Sequence, residues 1–171
     1  MTNVFLTADL HLGHKGIVTF DGVHGTKLRP WTDVEEMNEA LVERWNAKVG
    51  LNDKTYVLGD VSLSKNALPL LLRMNGKKIL VKGNHDQEDL KEYVKYFSDV
   101  RAICKKGEYL LSHVPIHPMS LTRWSKGNVH GHLHDGRVLL PDGSIDRRYI
   151  CVSVEHTDFA PISLDEVEKL R

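Results

Sequence analysis

The chain has 171 residues, of which 41% are hydrophobic and 27% charged, with Lys+Arg and Asp+Glu equal at 23 each. That length supports one compact domain with a full core, so a single domain over 1–171 is expected. A formal charge of zero argues against an extended nucleic-acid face, which needs a net basic surface. No apolar run approaches the length of a membrane span, and the N-terminal MTNVFLTADLH lacks a basic region followed by an apolar core. The expectation is a cytoplasmic protein with no membrane partner. Cys104 and Cys151 lie far apart in apolar runs and read as reduced core residues, not as a disulfide framework or a zinc clip.

In chain order, Val4-Phe5-Leu6 reads as a short buried strand that ends in Asp9-Leu10-His11-Leu12-Gly13-His14. A polar, glycine-bearing loop follows to Pro30. Thr32-Asp33-Val34-Glu35 reads as a capping box, and Val34, Met37, Leu41, Trp45 and Val49 recur at helical spacing. Thr55 to Leu58 is a second strand, breaking at Gly59-Asp60. Ala67 to Met74 reads as a short apolar helix closed by Asn75-Gly76. Lys78 to Lys82 is a third strand, ending in Gly83-Asn84-His85-Asp86. Glu88 to Phe97 alternates charged and apolar residues like an amphipathic helix. Strands are then expected at Val100–Cys104, Tyr109–Ser112, Asn128–His130, Val138–Leu140 and Tyr149–Val154, with a turn at Pro141-Asp142-Gly143. Ser163 to Glu166 caps a final short helix. The fold class is α/β with a β-rich second half. Trp31, Trp45 and Trp124 read as packing residues; Trp31 and Trp124, being in loops, are also candidate pocket walls.

The ten histidines are the outlying feature, and most lie where apolar runs end. Asp9 and His11 follow the first strand, Asp60 the second, Asn84 and His85 the third; His113, His132 and His134 close later strands. The C-terminal edge of an α/β sheet is where loops converge on a ligand while the strands hold them rigidly. Oxygen and nitrogen donors without a thiolate suit manganese, iron, zinc, cobalt or nickel. Seven candidate ligands, Asp9, His11, Asp60, Asn84, His113, His132 and His134, are too many for one tetrahedral ion and suit two. A pair of ions needs a bridging carboxylate, for which Asp60 is placed. Taken alone, an Asp in such a loop is more often a turn or capping residue; it is the series that carries weight.

In that order, Asp9-x-His11, Gly59-Asp60, Gly83-Asn84-His85-Asp86, His113 and Gly131-His132-x-His134 resemble the calcineurin-like metallophosphoesterases, and most of all the small single-domain bacterial and phage type. The resemblance runs from residue 9 to 134. It implies two mixed β-sheets face to face, flanked by helices in an α-β-β-α sandwich. It implies two divalent or mixed-valence ions, manganese first and iron, zinc, nickel or cobalt as alternatives. Asp9, His11 and His134 would hold one ion, Asn84, His113 and His132 the other, with Asp60 between them. His85 would protonate the leaving alkoxide after attack by a bridging hydroxide.

The chain also departs from the protein phosphatases of that family, whose Gly-Asp motif continues to a second Asp and an Arg. Here it reads Gly59-Asp60-Val61-Ser62, which argues against protein phosphatase activity and leaves the partner of His85 open, with Asp86 a candidate by adjacency. His14, Arg29 and His117 are the candidate phosphate-binding residues, and His24 a weaker one. His130 reads as a packing residue and His156 as a surface imidazole. The expected function is hydrolysis of a small phosphodiester, cyclic or short nucleotides included. The alternatives are a phosphomonoesterase, a nuclease acting on nucleic-acid ends, and a non-catalytic protein-binding scaffold.

Overall fold

Alternation decides how the first strands are used. In β1 (Val4–Thr7), β2 (Lys54–Val57) and β3 (Lys77–Val81) successive side chains face opposite ways. Phe5, Val57 and Leu80 turn into one core, while Leu6, Val81 and the adjoining Leu58 turn into another. This computed structural model describes residues 2–123 and 126–171, so Trp124 lies outside the described residues. The first core is closed by α1 (Val34–Lys48), which contributes Val34, Met37, Leu41 and Trp45 at helical spacing. The second lies between two sheets, where Leu6, Leu58 and Val81 meet Leu111, Val129 and Ile150. Apolar residues therefore occupy both faces of these strands toward their C-terminal ends, as burial on both sides requires.

Strands β1, β2 and β3 run parallel, and β4 (Asp99–Arg101) extends them beside β3. The second sheet is β5 (Ile103–Lys106), β6 (Tyr109–Ser112), β7 (Asn128–His130) and β8 (Tyr149–Cys151). Its β5–β6 pair is antiparallel and the rest is parallel. Finally β9 (Ile162–Ser163) returns antiparallel to β1, giving the first sheet the order β4-β3-β2-β1-β9. Both sheets are thus mixed. Their parallel members present their C-terminal ends along one edge each, and an isolated parallel bridge between Ala8 and Ser153 links strand exits across the two.

Several expected elements differ. The N-cap of α1 is Asp33, not Thr32: its carboxylate accepts from Glu36 N–H at 2.9 Å, as an extended residue before the first turn does. The segment Lys65–Arg73 is a 3₁₀ helix; Pro69 within it lacks the amide an α-helix would need. Only Leu90–Tyr93, here α2, is α-helical in the expected 88–97 span, where Tyr93 and Phe97 are anchored in the first core. The run expected as one strand from Val100 to Cys104 is divided at Ala102 between β4 and β5, which belong to different sheets. Val138–Leu140 forms only an isolated bridge, Leu139 to Ile145. Both residues are exposed, so no packing stabilises a longer ladder there. The C-terminal segment Leu164–Leu170 is 3₁₀. Trp31 is buried and packs edge-on against Phe159. Cys104 and Cys151 are free thiols. Among the described residues no helix is long and apolar enough to cross a membrane.

Leu58 is wholly buried between the sheets, one residue before the Gly59-Asp60 turn. Leu58→Ala is expected to cost about 3 kcal/mol through lost burial and a residual cavity. The readout is a lower denaturant midpoint at unchanged slope in equilibrium unfolding.

Candidate metal centre

The strand exits are tight, and their backbone is unusual. Among the described residues seven non-glycine positions have positive φ, and five are predicted ligands: Asp9 (58°), His11 (50°), Asp60 (52°), His132 (72°) and His134 (51°). Side-chain-bearing residues resist that region by about 1–2 kcal/mol each, so the surroundings must hold them. Asp9 N–H donates to Gly59 O and His11 N–H to Asp60 O, both at 3.0 Å, stitching the first exit to the second. Neighbouring glycines permit the approach. A side chain on Gly59 (φ 86°) would meet His113 Nδ1 at 2.5 Å and Gly83 Cα at 2.7 Å. One on Gly131 would meet Ala8 Cβ at 2.5 Å and Asp9 Oδ2 at 2.6 Å.

The ligand-type atoms gather into two groups, Asp9/His11/His134 and Asp60/His113/His132, each with donor atoms within 4.8 Å of one another. Asp60 joins them. Its Oδ2 lies 3.4 Å from His113 Nε2 in its own group and 3.8 Å from His11 Nε2 in the other. Asn84 belongs with the second group, its Oδ1 2.8 Å from His113 Nε2. All seven predicted ligands therefore converge.

The donors fit cations. Asp9 Oδ2 accepts from Ser153 Oγ at 2.6 Å and from His132 N–H at 2.8 Å. Asp9 Oδ1 and both ring nitrogens of His11 are buried and have no hydrogen-bond partner among the described residues. Orphaned buried polar atoms cost about 1–3 kcal/mol each, a cost that coordination to a cation would remove. His113 Nδ1 is 2.8 Å from Leu58 O, an acceptor, so Nδ1 carries the proton and Nε2 of the neutral ring offers a lone pair. That lone pair faces Asn84 Oδ1, Asp60 Oδ2 and, at 3.2 Å, His132 Nδ1. Such a convergence is stable around a proton or a metal ion.

Burial and neighbouring charge set the proton affinities of these donors. Burial pushes Asp9 up to about 6, against the pull of His134. Burial and then the Arg29 charge push His11 down to about 2. His113 and His134 rise above the ordinary histidine value: burial opposes this, and the carboxylates of Asp60 and Glu155 outweigh it. On Asp9, His113 and His134 a proton and a cation would therefore compete for the same atoms.

Sequence reading missed the supports. Glu155 Oε1 accepts from His134 Nδ1 at 3.1 Å and from Arg29 Nε at 3.0 Å, which leaves His134 Nε2 as the lone pair. Ser153 and Glu155 follow β8, so a sixth polar strand exit was present in the sequence, where His156 drew the attention. The expectation that Arg29 grips phosphate is corrected. Arg29 is fully buried, and its guanidinium donates to Asp9 O at 2.6 Å, to Leu10 O at 2.9 Å and to Glu155. It is a strut beneath the first group. Asp86 does not face the His85 ring either. Its carboxylate accepts from Asp60, Val61 and Gly83 N–H at 2.7–2.9 Å, tying the second exit to the third.

His85 is exposed at the lip. Its N–H donates to Asp60 Oδ1 at 2.9 Å, and its ring centroid is 5.8 Å from that of His11. His14 is half-buried, 5.6 Å from His11 between ring centroids, so it borders the site. His117 is exposed and caps the 3₁₀ turn Pro118–Leu121 through Met119 N–H. His24 is exposed and lines a separate cavity. His130 is buried with Nδ1 on Gly131 O at 2.7 Å.

The chain is 34% identical over 178 residues to the uncharacterized protein MJ1445 of Methanocaldococcus jannaschii, covering 99% of this chain and 92% of that one. The chain belongs to that protein's family. Gene 66 proteins of Mycobacterium phages L5 and D29 are 34% and 35% identical over 91 and 92 residues, about half of this chain and 41–42% of theirs. The crystal structure of the Aquifex aeolicus protein of unknown function AQ665 superposes over the whole of both chains with a TM-score of 0.69 at 24% identity, a likeness of fold. No family model matches.

Two predictions follow from the supports and the titrations. Glu155→Gln is expected to weaken cation binding at the Asp9/His11/His134 group by ~10- to 100-fold and to leave the Asp60/His113/His132 group unaffected, read by metal titration of the two proteins. Because a proton on Asp9, His113 or His134 excludes a cation, manganese affinity should fall as pH drops from about 8 to about 5. Calorimetry in buffers of different ionisation enthalpy should then show net proton release on binding.

Proposed function

We propose that this protein is a dinuclear metal-dependent phosphoesterase of the calcineurin-like kind, acting on a small phosphodiester. The observation that carries the reading is the pair of Asp/His groups joined through Asp60, with unpartnered buried atoms on Asp9 and His11 in the first of them. Asp9, His11 and His134 would hold one ion, His113, His132 and Asn84 the other, and Asp60 both. Two mixed sheets packed face to face, with α1, Tyr93 and Phe97 against the outer side of the first, support the α-β-β-α layering of that family, and the outer layer on the second sheet belongs to the proposal. Bound there, divalent ions such as manganese would supply Lewis acidity toward a phosphoryl oxygen and acidify water.

The chain's own residues do the rest. Asp60 Oδ1 holds the backbone of His85, so the imidazole stands at the exposed edge of the centre, where a leaving group departs. A proton on His85 passes to the departing ester oxygen, which stabilises alkoxides that leave poorly. Beside it, Ser62, Leu63, Gln87 and Glu88 line a depression of about 290 Å³ that receives that group. Val61 and Ser62, at the positions next to Asp60, offer no cation for a dianionic phosphate, which favours a diester over a monoester.

His85→Ala should leave two ions bound per chain and reduce hydrolysis of alkyl phosphodiesters by ~100- to 10,000-fold, with a much smaller loss for nitrophenyl esters. Steady-state rates on the two ester types, with metal content measured alongside, check this. Equal losses on both would remove His85 from the acid role.

A further inference from the structure

A second cavity adjoins the first ligand group. It has a volume of about 660 Å³, within the range of small-molecule sites, and its rim begins at Asp135, the residue after His134. Its lining includes His156, the residue after Glu155. Both neighbours in sequence belong to the hydrogen-bonded pair of the metal centre, so cavity and centre share a wall.

The lining has two characters. Val23, Leu139 and Ile145 are exposed by 65%, 57% and 47%, three aliphatic side chains among the residues that line the cavity. Leu139 and Ile145 face each other across their isolated bridge, while Val23 is fixed by its N–H on Asp135 Oδ2 at 2.9 Å. The polar side is built from groups already satisfied. Arg137 donates to Leu170 O at 2.7 Å and lies 3.3 Å from His156 Nδ1, and His156 Nε2 is 3.1 Å from Gly136 O. With Gly136 O and the guanidinium as its two partners, His156 carries its proton on Nε2 and is a neutral, fixed ring. Planar cations and rings held in place are stacking surfaces for a flat ligand.

A second phosphate is a poor occupant, because the Asp135 carboxylate offsets the single Arg137 charge and the aliphatic lining offers a dianion no further donors. We propose that this cavity binds the uncharged, flat organic arm of the phosphodiester, a nucleobase-type heteroaromatic ring, between the Val23/Leu139/Ile145 wall and the Arg137/His156 side. This rests on the phosphodiesterase reading for its purpose but not for its detection.

Two measurements separate them. Thymidine, which has no phosphate, titrated into the full chain to millimolar concentration should shift the methyl signals of Val23, Leu139 and Ile145, and Ile145→Ser or Leu139→Ser should abolish the shifts. Both substitutions are at exposed positions, so a folded spectrum is expected. No shifts, or shifts elsewhere, overturn the proposal whether or not any ester is hydrolysed. With manganese present, the same variants should raise KM for the para-nitrophenyl ester of thymidine monophosphate by ~10-fold and leave methyl para-nitrophenyl phosphate unchanged. An equal change for both esters also overturns it. Thymidine binding at these methyls without hydrolysis of either ester would keep the cavity and sink the phosphodiesterase reading.

Discussion

Asp60 uses every polar atom it has. Its N–H is held by Asp86, its carbonyl by His11 N–H, and Oδ1 by His85 N–H, while Oδ2 stands between His11 and His113. Three of these are fixed hydrogen bonds to the first and third strand exits, so the remaining oxygen has little freedom. A left-handed backbone at Asp60 is costly by itself and stable only inside that network. The centre is therefore preorganised by main-chain bonds more than by side-chain packing, which is how a site holds its geometry before any ligand arrives.

Electrostatics follow from the same architecture. The two groups are supported differently: His134 is backed by a buried carboxylate that Arg29 neutralises, whereas His113 is backed by the Leu58 carbonyl. A carboxylate behind an imidazole makes it a stronger donor than a carbonyl does. The two places for cations are consequently unequal in character despite their matching ligand lists. Arg29 also reaches the carbonyls of Asp9 and Leu10, so one buried cation serves both the loop conformation and the ligand behind it.

Much of this was legible in the residues. Apolar runs that stop at Asp, His or Asn marked the strand exits, and a parallel arrangement brought seven of those side chains together. What was hidden depended on long-range neighbours. Arg29 looked like a phosphate grip because a loop arginine usually faces solvent; its burial depends on Glu155, 126 residues away. Asp86 looked like a partner for the adjacent His85, but three amides drew its carboxylate inward. The 100–104 run carried one continuous β signal although the chain changes sheets inside it, because period-two patterning records burial and not which strand lies alongside.

That change of sheet has a mechanical consequence. Asp9, His11, Asp60 and Asn84 hang from one sheet, and His113, His132 and His134 from the other, so sliding between the two layers would change the distances from the carboxylates to those three imidazoles. Ala102 alone separates β4 from β5, a splice too short to allow slack. At the far side, Ala8 pairs with Ser153 and acts as a second rivet. Fastened at both flanks, the layers keep a fixed offset, and the spacing across the centre is inherited from the way the whole body is joined.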